Sequence, residues 1–405
     1  MKNTIMSGEG LWINKKCNDT KAKKLMPNIA EIAEEYKRLA EQIGVFPTSD
    51  LVEMETFQIA SSRVFAGSLP GRWFAKMDQT LPISGSVKIR GALYEILKYA
   101  EGLSSGNLSE KQAFQGKTIS VASTGNLGLS VGLIARRMGF YVKVYMSKEA
   151  VEWKKHLLKE NGADVILVDG DYTEAVDLCR RDSEREGFYF VDDERSELLY
   201  KGYAVAAYEI AENPVVKSGK APIFVYLPCG VGNAPSGIAA GLKALLGNRV
   251  HIFLAEPVQV PSVLVGMSSG KYDAVSVYDF GRSGMTVADG LACARMAGRT
   301  AEILDVCISG IYTVEDDKML GLLKLVGECE GIRIEPSAAA ALQGMGMIYY
   351  TGEGIGYLRD RKIIADMDQS VHISWLTGGG MMPEDEYQKM YKLGEEKEKL
   401  LCDFL

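Results

Sequence analysis

From Lys117 onward, short apolar runs alternate with helix-like segments, and this alternation constrains the fold more than any other feature of the sequence. Strands are predicted at residues 118–122, 141–146, 164–168, 188–191, 223–227, 251–255 and 371–376. Helices are predicted at residues 127–138, 150–161, 172–187, 202–212, 238–246 and 338–347, and around residues 263, 291 and 320. Such alternation is typical of an α/β fold with mostly parallel, doubly wound sheets.

Charge and cysteine content exclude several classes of protein. The net charge of -7 is spread along the 405 residues, which argues against a surface for nucleic acid or anionic membrane. No apolar run is long enough to cross a bilayer, and residues 1–24 lack the apolar core of a signal peptide. The seven cysteines are scattered and the three histidines lie far apart, so we expect a cytoplasmic protein without a zinc site.

A lysine inside a Ser/Gly turn is the first candidate for chemistry. Lys88 follows the segment 84–86, with a predicted strand at 73–76 before it and an amphipathic helix starting near Ala92 after it. The start of a helix is the positive end of its dipole, an environment that favours a nucleophilic amine. The local sequence leaves open the alternative of a solvated surface lysine.

Three turns rich in small residues are predicted where strands end and helices begin. They span residues 228–237 (PCGVGNAPSG), 123–126 (STGN) and 377–380 (TGGG). Backbone N–H groups in such turns converge on anions, and the first turn favours a phosphate. The second suits a carboxylate, while its Asn126 amide suits a phenolate-type oxygen. Each turn also has a simpler interpretation, as a helix cap or a tight turn without a ligand.

Turns at the carboxyl ends of parallel strands open into a common crevice. A lysine, phosphate-binding amides and partners for a ring oxygen and a ring nitrogen together form the set that pyridoxal phosphate requires. Glu256 lies at the end of the strand after the first turn, where a dinucleotide-binding fold places an acidic residue. A dinucleotide-binding protein therefore remains a rival, although the spacing is not GxGxxG.

Seven stretches carry a resemblance to a known family. They are LPISGSVKIRG (81–91), STGNLGL (123–129), DDE (192–194), YLPCGVG (226–232), ADGL (288–291), EGIRIEPSA (330–338) and TGGGM (377–381). With them the chain resembles the D-serine ammonia-lyases, pyridoxal phosphate enzymes of fold type II in the tryptophan-synthase-β-like class. The resemblance implies two doubly wound domains, a large one of residues 1–107 and 204–405 and a small inserted one of residues 108–203.

The same resemblance implies roles for individual residues. Lys88 would form the Schiff base with pyridoxal 5'-phosphate, Asn126 would contact the ring hydroxyl and Thr377 would lie at the ring nitrogen. The residues implied to hold the phosphate are Gly230, Val231, Gly232, Asn233 and Ala234. Those implied to bind the substrate carboxylate are Ser123, Thr124 and Gly125. Glu256 and Ser262 would lie at the monovalent-cation site of this class.

The phosphate turn departs from the family pattern. Asn233, Ala234 and Ser236 interrupt a loop that is nearly all glycine in related enzymes. Alanine adopts a left-handed backbone poorly, so we expect these changes to weaken phosphate binding. Restoring glycine at positions 233 and 234 should then tighten binding of the cofactor or leave it unchanged.

The resemblance implies a lyase that removes water and ammonia from a small β-hydroxy amino acid, D-serine first and D-threonine second. The alternatives are an ammonia-lyase for another β-substituted amino acid, a racemase, a β-replacement synthase, or a non-catalytic binder of pyridoxal phosphate or a nucleotide. The expected partner is an amino acid substrate, with no nucleic acid and no membrane. Monomer and homodimer remain open.

Overall fold

The computed structural model describes residues 8–65, 67–123, 125–170 and 172–397. The strands in these ranges are β1 (Leu11–Ile13), β2 (Leu51–Glu53), β3 (Arg72–Lys76), β4 (Thr118–Ala122), β5 (Tyr141–Ser147), β6 (Asp164–Val168), β7 (Tyr189–Val191), β8 (Ile223–Pro228), β9 (Val250–Pro257), β10 (Gly310–Val314) and β11 (Val371–Trp375).

The α-helices in the same ranges cover both ends of the chain as well as its centre. They are α1 (Asp19–Ala22), α2 (Ile29–Gln42), α3 (Glu55–Val64), α4 (Lys88–Leu103), α5 (Asn126–Met138), α6 (Glu152–Glu160), α7 (Tyr172–Glu186), α8 (Glu197–Ala204), α9 (Ala206–Ala211), α10 (Pro214–Lys217), α11 (Asn233–Leu246), α12 (Ser262–Ser269), α13 (Ala301–Cys307), α14 (Asp316–Glu330), α15 (Pro336–Ala339), α16 (Gly344–Tyr350), α17 (Gly352–Asp360) and α18 (Glu384–Lys397).

The strands form two sheets. The larger sheet has seven strands in the order β1-β10-β9-β8-β11-β3-β2, in which the central strands are parallel and both edge strands are antiparallel. The smaller sheet has four parallel strands in the order β6-β5-β4-β7. The predicted α/β fold with mostly parallel sheets is confirmed.

Helices cover both faces of the larger sheet, which explains the continuous apolar runs in its strands. Every residue of β8, β9, β10 and β11 is buried. Successive side chains of a strand point to opposite faces. Along β8, Ile223, Val225 and Leu227 accordingly join one apolar cluster, while Phe224 and Tyr226 join the other. The larger sheet therefore lies between the two apolar clusters.

Two predicted helices differ from those observed because of local packing. The helix predicted at 202–212 is divided into α8, which packs against α4 and α11, and α9, which packs against α11. The helix predicted around residue 291 is a single 3-10 turn, Asp289–Leu291. There the amide of Gly290 donates to the hydroxyl of Ser337, at 3.1 Å, rather than to a helical carbonyl.

The Ala-rich helix predicted at 338–347 is interrupted. It consists of α15, a 3-10 segment and the start of α16. A Cβ atom at Gly344 would lie 2.1 Å from the ring of Tyr226, so this segment lies directly on the larger sheet and its shape follows that contact.

The strands of the smaller sheet all lie between residues 118 and 191, inside the segment predicted as a small domain. The domain boundaries at residues 107/108 and 203/204 stay a prediction. None of the described helices combines the length and the apolar character needed to cross a membrane.

Candidate active site

The lysine turn and the third glycine turn are joined by backbone contacts. Lys88 is the first residue of α4. The amide of Val87 donates to the carbonyl of Thr377 at 2.8 Å, and Ser86 pairs with Gly378 as an isolated bridge. Because β3 and β11 are adjacent parallel strands, the turns that follow them meet at one edge of the sheet.

Glycine is required where these two turns cross. Gly85 has φ +55°, a left-handed conformation, and a Cβ atom there would lie 2.7 Å from the Cα atom of Gly380. The small residues of the SGS segment therefore serve a close backbone approach that fixes the start of α4 and the position of Lys88.

Lys88 is paired with a carboxylate from the other sheet. Its Nζ atom donates to Oδ2 of Asp193 at 2.7 Å and lies 5.8 Å from the ring centroid of Tyr203. The side chain of Asp193 is 10% exposed, and its Oδ1 atom is buried without a hydrogen-bond partner among the described residues. In the sequence, Asp193 is marked only as part of the DDE stretch that carries the family resemblance. Its position two residues after β7 could have indicated a site residue, because the three turns also lie at the ends of strands.

The second turn leads into α5, whose first residue is Asn126. The amide of Gly125 donates to the hydroxyl of Ser123 at 3.2 Å. Nδ2 of Asn126 donates to Oε1 of Glu335 at 2.7 Å. Thr124, which the resemblance assigns to the substrate carboxylate, lies outside the described residues.

Glu335 is a buried carboxyl group of the cavity that was not predicted as a site residue. Burial raises its pKa, and the opposing attraction of the Lys154 ammonium does not cancel this effect. A Cβ atom at Gly378 would lie 2.4 Å from Oε1 of Glu335, so the third turn needs glycine to cover this side chain. Glu335 lies between Ile334 and a helix that begins with proline, and this local sequence does not indicate a site residue.

The phosphate turn is shorter than predicted, because α11 begins at Asn233 rather than near residue 238. Within 230–234 only Gly232 is left-handed, with φ +101°, and a Cβ atom there would lie 3.0 Å from Oγ1 of Thr300. Asn233 and Ala234 are helical. The expectation that alanine strains this turn is therefore wrong, since its backbone is that of an ordinary helix start.

A second buried lysine lies beside the pocket. Nζ of Lys154, on α6, donates to Oδ2 of Asp289 at 2.7 Å, and its side chain is 2% exposed. Burial alone lowers the pKa of a lysine, but the carboxylates of Asp289 and Glu335 outweigh it and raise the pKa of Lys154. This pair also joins the smaller sheet to the larger.

The acidic residue that suggested a dinucleotide site has another role. Both carboxyl oxygens of Glu256 accept backbone hydrogen bonds at 2.8 Å, one from Val263 and one from Leu264, at the start of α12. Burial raises its pKa to about 8. The hydroxyl of Ser262 donates to the carbonyl of Gly230 at 3.1 Å. Glu256 thus anchors α12, and the described residues contain no cluster of three or more His, Cys, Asp or Glu side chains that could hold a metal ion.

One cavity brings the predicted site residues together. It is lined by Lys88, Ser123, Gly125, Asn126, Gly230, Val231, Gly232, Asn233, Ala234 and Thr377. The same cavity contains Asp193, Asp289 and Glu335, which were not predicted as site residues. An amine and two helix starts in one cleft between two sheets suit a bound phosphate and the carboxylate of an amino acid. The role of each residue stays a prediction.

Comparison with known proteins gives a consistent result. Residues 58–354 match the profile of the family described as pyridoxal-phosphate dependent enzyme. The chain is 41% identical over 397 residues to a probable D-serine dehydratase of Bacillus subtilis (strain 168), covering 91% of this chain and 88% of that protein. A probable D-serine dehydratase of Halalkalibacterium halodurans is 39% identical over 420 residues, covering 95% of each chain.

Among solved structures, diaminopropionate ammonia lyase from Escherichia coli, in complex with an aminoacrylate-PLP azomethine intermediate, aligns with a TM-score of 0.76. The alignment covers 96% of this chain and 97% of that one at 19% sequence identity. At this identity the likeness concerns the fold alone, which is that of fold type II.

Proposed function

Because the chain belongs to the family of pyridoxal-phosphate dependent enzymes, we propose that it converts D-serine into pyruvate and ammonia, with D-threonine as a second substrate. The relatives that are about 40% identical over most of the chain are named for this activity. The observation in the structure that carries the proposal is the pairing of Lys88 with Asp193 inside the cavity.

The residues of the cavity fit pyridoxal 5'-phosphate. Lys88 offers an amine to the aldehyde group of the cofactor, and the turn at 230–234 offers backbone amides at the start of a 14-residue helix. Gly230 packs closely against the segment of Gly290 on the other side of the cavity, since a Cβ atom there would lie 3.3 Å from the carbonyl oxygen of Gly290. Nδ2 of Asn233 is buried and lacks a partner among the described residues, as expected of a donor facing an anion.

When bound, pyridoxal 5'-phosphate withdraws electrons from the α-carbon of an attached amino acid, which eases loss of the α-proton and of a β-substituent. Lys88 and Asp193 are the groups placed to take and return protons at the α-carbon. The Nζ to Oδ2 distance of 2.7 Å allows a proton to pass between them, and the unpartnered Oδ1 atom is free to face the substrate.

The start of α5 is the proposed site for the substrate carboxylate. The hydroxyl of Ser123 and the amide of Gly125 lie at this helix start and line the cavity. The N-terminus of a helix attracts a carboxylate through its free N–H groups and its dipole. Holding the carboxylate there presents the α-carbon to the Lys88 side of the cavity.

The same geometry supports two proposed partners for the ring of the cofactor. Asn126 is the proposed contact of the ring hydroxyl, and its hydrogen bond to Glu335 fixes which way the amide points. Thr377, two residues after the end of β11, is the proposed partner of the ring nitrogen. A neutral hydroxyl does not stabilise a protonated ring, so it favours rapid elimination over transamination.

In the proposed overall reaction the α-proton and the β-hydroxyl leave D-serine as water, and hydrolysis of the product takes up one water and releases ammonia with pyruvate. We also propose a cytoplasmic location, which is supported by the six described cysteines, all of them free thiols.

The test is to incubate the purified protein, loaded with cofactor, with D-serine, L-serine and D-threonine. We expect pyruvate and ammonia in equal amounts from D-serine, with little conversion to L-serine and little transamination. Predominant racemisation, a preference for L-serine, or turnover only in the presence of a second nucleophile would overturn the assignment in favour of a racemase, another ammonia-lyase or a β-replacement synthase.

A further inference from the structure

The side chain of Asn233 is buried at the edge of the cavity with an unused donor. The residue is 3% exposed and lines the cavity beside Gly232. Its Nδ2 atom has no hydrogen-bond partner among the described residues. A buried N–H group without a partner is costly, so such an atom in a native fold calls for a ligand that accepts its hydrogen bond.

The helix start around this side chain offers fewer backbone donors than usual. Asn233 and Ala234 are the first two residues of α11, and the third is Pro235, which has no N–H group. Phosphate oxygens are strong acceptors and take several hydrogen bonds. The amide side chain of Asn233 adds a donor at the place where Pro235 removes one.

We propose that Nδ2 of Asn233 donates a hydrogen bond to the phosphate group of the cofactor, so that this side chain strengthens phosphate binding. The inference rests on the cofactor assignment made under the proposed function. It reverses the expectation drawn from the sequence, in which glycine at this position binds phosphate at least as well. The reversal follows from the helical backbone of Asn233, which needs no glycine and directs a side chain to the cavity.

The experiment compares cofactor with and without its phosphate. Apoprotein is titrated with pyridoxal 5'-phosphate and with pyridoxal, and the dissociation constants are read from fluorescence or from the visible absorption band. A hydrogen bond to a charged group contributes enough that Asn233→Ala should weaken binding of pyridoxal 5'-phosphate about 10-fold or more. Binding of pyridoxal should change less than about 3-fold, a margin below the effect of one typical hydrogen bond.

Ser236→Ala is the matched control. Ser236 is a buried polar residue of the same helix turn, but its hydroxyl donates to the carbonyl of Asn233 at 2.7 Å and it does not line the cavity. We expect this variant to keep the wild-type ratio of the two dissociation constants. Asn233→Gly should behave like Asn233→Ala, whereas Asn233→Asp should weaken binding of the phosphorylated cofactor further through charge repulsion.

An unchanged ratio in Asn233→Ala, equal losses for both ligands, or tighter binding by Asn233→Gly would overturn the inference. Circular dichroism of each apoprotein identifies a variant that fails to fold. In that case Asn233→Gln, which keeps the side-chain amide, serves as the rescue variant. Partial recovery of the affinity for pyridoxal 5'-phosphate would support the inference, and a complete lack of recovery would contradict it. These are binding measurements, so they remain informative whichever amino acid the holoenzyme turns over.

Discussion

The two sides of the cavity are built by different means. On the side of the larger sheet, the turns that carry Lys88 and Thr377 are joined by backbone hydrogen bonds and by glycines in close contact. The side of the smaller sheet is attached by side chains. Three polar pairs cross between the sheets at the cavity: Lys88 with Asp193, Asn126 with Glu335 and Lys154 with Asp289.

This difference predicts which substitutions the two sides of the cavity tolerate. Backbone contacts change little when one side chain is replaced, so we expect the turns on the side of the larger sheet to keep their shape after substitutions away from their glycines. A crossing pair depends on two side chains, and replacement of one leaves the other buried without its partner. We therefore expect substitutions in the three crossing pairs to alter substrate turnover and the fit of the two sheets more than substitutions in the surrounding loops.

The largest effect should come from Lys88→Ala. Loss of the amine should abolish turnover and covalent attachment of the cofactor, because the aldehyde carbon then has no nucleophile to bind. The measurement is borohydride reduction of the holoprotein followed by mass spectrometry of its peptides. Lys154→Met is the matched control, since both lysines donate to a carboxylate at 2.7 Å beside the cavity. A peptide that carries the reduced cofactor in Lys88→Ala would contradict the assignment of Lys88. Loss of the labelled peptide in Lys154→Met would contradict it as well.

The second effect concerns proton transfer. Asp193→Asn keeps the shape of the side chain but removes its ability to take a proton from Lys88. We expect kcat for D-serine to fall about 100-fold or more, the usual contribution of a positioned acid or base. The visible band of the bound cofactor should remain, which separates this loss from a loss of cofactor. A variant that retains more than about one tenth of wild-type kcat would exclude proton transfer by Asp193, because general acid–base groups contribute far more.

The fold was largely predictable because strands buried on both faces leave continuous apolar runs. The predicted strands at 223–227 and 251–255 lie within β8 and β9, in which every residue is buried. The helix at 202–212 was misjudged because both halves pack against α11 but only the first also packs against α4, which periodicity along the chain does not reveal. The start of α11 was misjudged because glycine and asparagine suggest a turn, while a single left-handed residue, Gly232, suffices to redirect the chain.

The site was predictable where chemistry depends on backbone, and less so where it depends on side chains brought together from distant segments. Lys88 and the three turns share a local pattern of small residues at strand ends. Glu335 and Lys154 have no such pattern, and each becomes part of the site only through a partner more than 100 residues away. Pairing across sheets is a property of the folded chain and not of any one stretch.

A smaller effect is expected from the pair Lys154–Asp289, measured by a double-mutant cycle. Asp289→Asn leaves the buried ammonium of Lys154 without its nearest carboxylate and should lower the free energy of unfolding by about 1 to 3 kcal/mol. Asp289 is partly exposed, which keeps the effect below that of a fully buried pair. Adding Lys154→Met should recover part of this loss. Denaturant unfolding of the four proteins gives the coupling, and strictly additive losses would mean that the two residues do not act as a pair.

Glu95 provides a fourth crossing contact, outside the cavity and without a cation. It lies on α4 and accepts hydrogen bonds from the hydroxyls of Ser196 at 2.6 Å and Tyr189 at 3.3 Å, and burial raises its pKa to about 7. In the unfolded chain it ionises near 4.5.

Between these two pH values the folded protein therefore keeps a proton that the unfolded chain has lost, so the contribution of Glu95 to stability decreases as the pH rises from about 4.5 to about 7. Glu95→Gln keeps a hydrogen-bonding side chain that does not titrate. Over this interval the free energy of unfolding of the variant should therefore fall by about 1 to 3 kcal/mol less than that of the wild type. The measurement is denaturant unfolding at a series of pH values, with Glu302→Gln, on an exposed position of α13, as control. Parallel curves for wild type and Glu95→Gln would contradict this expectation, because they would mean that the carboxyl group of Glu95 ionises at the same pH in the folded and the unfolded chain.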